Sequence, residues 1–98
     1  MILSPPNEYD EYKKLTILAI AKTLLDIGEL TYDTVIAMLN KTYHCYLPDC
    51  YEHPEYLSEI LKELYGNSHN IIIKSINKQL EEFSYNAPIN RFLKVISR

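Results

Sequence analysis

Cys45, Cys50 and His53, with His44 and Asp49 beside them, are the residues whose types and spacing could do chemistry. A zinc ion takes about four ligands at roughly 2.0 to 2.3 Å in a tetrahedron, drawn from thiolates and imidazoles. The two cysteines and His53 would supply three, and Asp49 or the distant His69 a fourth. His44 adds little, because neighbouring residues on a helix point about 100 degrees apart. One Cys-x4-Cys without a second knuckle is a weak zinc pattern, and reduced thiols also pack well as small hydrophobic side chains. A redox pair is the third option, but a disulfide between Cys45 and Cys50 would close a very short loop, which a reducing compartment disfavours. Nucleophilic catalysis needs a thiolate and a base assembled around a pocket. Cys45 beside His44, or Cys50 near His53, meets only the residue-type requirement. There is no glycine-rich phosphate loop, no Gly-x-Ser-x-Gly elbow and no His-Glu-x-x-His. The expectation is a protein that is not an enzyme, without catalytic residues, metal or cofactor, whose two thiols are reduced and packed.

Nine tyrosines and no tryptophan give a second clue. Tyrosine combines a rigid apolar body with a hydroxyl that seeks a partner, a combination that interfaces favour. Tyr46, Tyr51 and Tyr56 cluster on and just after the connection that carries the cysteines. They are the expected partner-binding residues, weighed against a plainer role as half-buried rings on the rim of a small core.

The elements that must position this connection read as helices. Only two glycines occur in 98 residues, too few for a protein built of hairpins. After Pro5-Pro6, Asn7 or Asp10 can cap a helix that runs to about Ile27. Its apolar residues, Leu15 to Ile27, cover nearly the whole circumference, which predicts a central helix. Gly28 is placed to stop it in a left-handed conformation, and Thr31 to cap a second helix through Leu39 toward Tyr43. Pro48 breaks the helical pattern beyond Tyr43, so the connection spans about Tyr46 to His53. Pro54 suits the first position of a third helix, whose stripe is Leu57, Ile60, Leu61 and Leu64 and whose acids Glu52, Glu55, Glu59 and Glu63 form a solvated face. Gly66 closes it, and Asn67 or Ser68 opens a fourth helix with Ile72, Ile73, Ile76, Leu80 and Phe83 inward, the two forming an antiparallel hairpin. Pro88 precedes a short fifth helix docked by Ile89, Phe92, Leu93 and Ile96. The expected fold is all-α, a compact bundle of about five helices with short connections: a flexible N-terminal segment over 1–8 and a single helical domain over 9–98.

Charge narrows the partners. The net charge is −3, yet residues 31–66 carry two lysines against six acids and residues 67–98 five bases against two acids. Opposite ends can attract within one molecule or between two, whereas a nucleic-acid binder would show a basic balance. The stretch from Ile27 to Ala37 resembles the entry to a helix-turn-helix, but the next helix, Pro54 to Glu63, is acidic and would repel phosphates. No run near 18 apolar residues and no basic, apolar leader occurs, so neither a membrane partner nor secretion is expected and the default location is cytoplasmic.

Asp49-Cys50-Tyr51-Glu52-His53-Pro54-Glu55-Tyr56-Leu57, together with Leu61-Lys62-Glu63-Leu64-Tyr65-Gly66 and the ending Phe92-Leu93-Lys94-Val95-Ile96-Ser97-Arg98, resembles the small archaeal family called the Nitrosopumilus output domain, over about residues 12 to 98. The resemblance implies an all-helical cytoplasmic domain from archaea that occurs alone or joined to signalling modules and has no established biochemical activity; its name marks a downstream role in signalling, and the family offers no catalytic or ligand residues to carry over. Together these readings predict a non-enzymatic helical protein–protein interaction module that forms a homo-oligomer through a protein partner surface including Tyr46, Tyr51 and Tyr56. The alternatives are a metal-binding or redox-sensing domain centred on Cys45 and Cys50, and a helix-turn-helix-like nucleic-acid binder.

Overall fold

Amphipathic stripes at steps of three and four become α-helices throughout the computed structural model, which describes residues 8–98. The helices are α1 (Glu8–Ile27), α2 (Glu29–Tyr43), α3 (Pro54–Tyr65), α4 (His69–Leu80) and α5 (Ala87–Ile96). Short 3-10 turns at Leu47–Tyr51, Gly66–Ser68 and Glu81–Phe83 join them, and no strand occurs among the described residues. The expectations of a flexible segment over 1–8 and of a cap at Asn7 fall on residues 1–7, outside the described residues, while Glu8 already belongs to α1.

α1 contains neither glycine nor proline and runs unbroken for 20 residues. Its surroundings differ from the expected central position. Thr16, Ala19, Ile20, Thr23 and Leu24 are buried on one stripe, while Leu18 is 65 % exposed and Leu25 and Ile27 about half exposed. The reason lies in what packs on it: α2, α4 and the Leu47–Tyr51 turn meet α1 along the buried stripe. The two buried threonines satisfy their hydroxyls within the helix, Thr16 donating to the Tyr12 carbonyl and Thr23 to the Ala19 carbonyl, each at 2.8 Å. Gln79 Nε2 donates to Thr23 Oγ1 at 2.6 Å, which ties α4 to α1.

Gly28 stands between α1 and α2 in extended backbone (φ 165°, ψ 152°) rather than the expected left-handed form. The Tyr32 amide donates to its carbonyl, so α2 starts at Glu29 and Thr31 lies inside the first turn instead of capping it. Among the described residues Gly66, which closes α3 as expected, has a positive φ (55°, with ψ −132°), and His44 is left-handed (φ 53°, ψ 38°).

α3 starts with Pro54 at its first position and buries Leu57, Ser58, Ile60 and Leu61. It packs on α2 and α5 as well as on α4, so the α3–α4 hairpin is one contact among several. α4 buries Ile72, Ile73, Ile76 and Leu80, whereas Phe83 sits past its end in the 3-10 turn and is only partly buried. Asn86 caps α5 by accepting from the Ile89 amide at 3.2 Å, and Ile89, Phe92, Leu93 and Ile96 dock that helix. The radius of gyration, 13.7 Å, matches the roughly 13 Å of a folded chain of this length. No helix among the described residues is long and apolar enough to cross a membrane.

Candidate functional site

The connection between α2 and α3 is built from its own backbone bonds. His44 ends α2 in a left-handed conformation, its amide donating to the Asn40 carbonyl at 3.0 Å. That reversal drives Cys45 inward, with its Sγ over the Leu39 carbonyl at 3.9 Å. Asp49 then closes the 3-10 turn: its Oδ2 accepts from the Tyr46 amide at 2.8 Å while its own amide donates to the Tyr46 carbonyl at 3.0 Å. The carboxylate that sequence reading offered as a metal ligand is committed to this turn, and His69 is committed to the turn between α3 and α4, where its Nδ1 bonds the Gly66 carbonyl at 2.8 Å.

Both cysteines are free and buried, Cys50 completely. Burial pushes the Cys50 thiol well above its ordinary value, and the neighbouring Cys45 and Asp49 add to the rise. Cys45 is raised too, by burial first and then by Asp49. Thiolates are the nucleophilic and metal-binding form, so this environment suits packing. Among the described residues no three His, Cys, Asp or Glu side chains converge so as to hold a metal ion. His53 caps α3, its ring stacked on Tyr56 with centroids 4.7 Å apart and its Nδ1 3.3 Å from Glu55 Oε1.

The three tyrosines are dispersed in role. Tyr46 is 64 % exposed. Tyr56 is half-buried and stacks on Tyr43 at 4.0 Å as well as on His53. Tyr51 belongs to the core at 6 % exposure, with Tyr9 edge-on at 5.4 Å, and its buried hydroxyl has no hydrogen-bond partner among the described residues. A buried hydroxyl without a partner costs about 1–3 kcal/mol of desolvation. Tyr51→Phe, which keeps the ring and removes that oxygen, is therefore expected to be neutral or stabilising by up to about 1 kcal/mol in urea denaturation; a loss beyond that would reveal a bond the hydroxyl makes in solution.

Glu52 is drawn away from the acidic face of α3. It accepts from the Tyr9 hydroxyl and pairs with Lys13 Nζ at 2.9 Å, fastening the connection to α1. Burial alone would raise its carboxyl, but the bonds from Tyr9 and Lys13 outweigh that and hold it below its ordinary value. A cleft of about 350 Å³ opens beside it between Tyr9, Pro54, Arg91 and Phe92, with the Glu52 charge already neutralised. Glu55, Glu59 and Glu63 remain exposed on α3.

Sequence reading missed the exposed apolar side chains of α1. Leu15, Leu18 and Leu25 lie along the outer side of α1, with Ile27 at its end and Leu30, 79 % exposed, just beyond. Two shallow depressions flank Leu18. One, of about 440 Å³, is lined by Glu11, Lys14, Leu15 and Leu18. The other, about 640 Å³, joins Ile17 and Leu18 to Pro48, so it reaches the connection two residues from Tyr46. The signal was present in the sequence, since α1 carries apolar residues on every side, more than one packed stripe can use. Compared with known proteins, the chain matches no family model, no curated protein and no solved structure.

Proposed function

We propose that this protein is a non-enzymatic helical protein–protein interaction module that associates with itself, using the outer side of α1 and the adjoining connection at Tyr46 and Pro48. The observation that carries this reading is the set of large apolar side chains at the surface: Leu18 and Leu25 on the outer side of α1, Leu30 just beyond that helix and Tyr46 on the connection are each about half exposed or more. Exposed apolar side chains gathered on one face mark sites where another surface docks. Tyr46 adds the amphipathic ring that such surfaces favour. Tyr51 belongs to the core against Tyr9 and lies outside this surface, and Tyr56 holds the mouth of α3 through its two stacks.

Replacing Leu18 by glutamate puts a charge at the middle of this surface without touching the core. Leu18→Glu is expected to weaken self-association at least tenfold, a change of about 1.4 kcal/mol, while the far-UV circular dichroism and the unfolding midpoint stay close to wild type. Sedimentation equilibrium over rising concentration reads the first and urea denaturation the second. A wild-type chain that stays monomeric up to about 1 mM, equivalent to a binding free energy weaker than about −4 kcal/mol, would end the self-association reading.

A further inference from the structure

Self-association through α1, the reading on which this inference rests, has a register written in the helix itself. Glu11, Leu15, Leu18 and Lys22 succeed one another at steps of four, three and four, the spacing of a coiled-coil seam. All four lie outside the buried stripe of α1, and none of them is buried. The order is acid, leucine, leucine, base. Read backwards it becomes base, leucine, leucine, acid, so two copies laid antiparallel complement each other at every level. A twofold interface demands this reciprocity, in which residue i meets j and j meets i.

We infer that two copies of this chain pair their α1 helices antiparallel about a twofold axis that passes between Leu15 and Leu18. Leu15 packs against Leu18 of the second copy, and Glu11 faces Lys22 of the second copy, each contact occurring twice. Parallel pairing would set Glu11 against Glu11 and Lys22 against Lys22, which like-charge repulsion opposes. Sliding the antiparallel pair by one heptad would match Leu15 with Leu25, but it would set each Lys22 against a leucine beside the axis, where the two bases crowd, and leave Glu11 without its base. Neither Glu11 nor Lys22 makes an ion pair among the described residues, so both charges are available to a second copy. The depression between Leu15 and Leu18 gives the incoming leucines room to settle, as knobs do in the holes of a facing helix. From Glu11 to Lys22 the seam is about 16 Å long at 1.5 Å per residue, too short for the roughly 1,600 Å² of a standard stable interface, so the dimer is weak and concentration-dependent.

A charge swap tests the register. Sedimentation equilibrium at low salt is run on wild type, Glu11→Lys, Lys22→Glu and the double variant, with circular dichroism to confirm folding. Each single variant opposes like charges at two symmetric positions and is expected to weaken the dimer about tenfold, whereas the double variant restores the opposite-charge pairs and returns it to within about threefold of wild type. A wild-type dimer indifferent to both single variants, or a double variant as weak as the worse single one, overturns the register while leaving self-association in place. A monomeric wild type removes both.

Discussion

Phe92→Ala is expected to lower the unfolding free energy by about 3–5 kcal/mol, the range for removing a fully buried phenylalanine. Phe92 is 1 % exposed and is among the largest fully buried side chains of the molecule. It is also one of only four residues that dock α5, a helix of ten residues. Isolated helices of that length are marginal in water, so α5 exists because Ile89, Phe92, Leu93 and Ile96 are buried, and the loss of the largest of them frees the helix along with the cavity it leaves. A domain of this size holds about 5–15 kcal/mol in total, and each kcal/mol is worth about 4–8 °C in melting temperature. The variant should therefore melt at least roughly 12 °C below wild type. A loss under about 1 kcal/mol in urea denaturation would mean that α5 is not anchored where it is described.

The cysteines should behave as core atoms. In native buffer near pH 8, Cys50 is expected to react with a thiol reagent on the order of a thousandfold more slowly than in the unfolded chain, because both access and ionisation require an opening of the fold. Cys50 has no exposed surface, and burial holds its thiol protonated. The linked effect on stability has a definite sign. The folded thiol ionises at higher pH than the unfolded one, so its contribution is fully present below the unfolded value of about 8.5 and declines as the pH rises above it. Stopped reaction with mass-spectrometric assignment would read each cysteine separately. Rapid modification of Cys50 in the native protein, or stability that rises from pH 8.5 to 10, would contradict this picture and revive a redox role for the pair.

Local chemistry determined much of this molecule. The stripes of α3, α4 and α5, Pro54 at the start of α3 and Gly66 at its end were readable because each depends on residues three or four apart, or on one residue's own backbone preference. So was the packing of the two cysteines. Tertiary structure decided the rest. His44 adopts the left-handed turn because the chain must reverse to bury Cys45 and Leu47, a demand that histidine does not announce, while Gly28, which does announce such a turn, takes extended backbone open to any residue. Tyr46, Tyr51 and Tyr56 look alike in the sequence, and only the direction of a five-residue 3-10 turn sends one outward and one into the core. The fate of α1 shows the same division. Its residues made an apolar circumference evident, but whether the far side meets another helix of the same chain or is left for a second molecule depends on where α2 and α4 come to rest, and neighbours distant in sequence set that position.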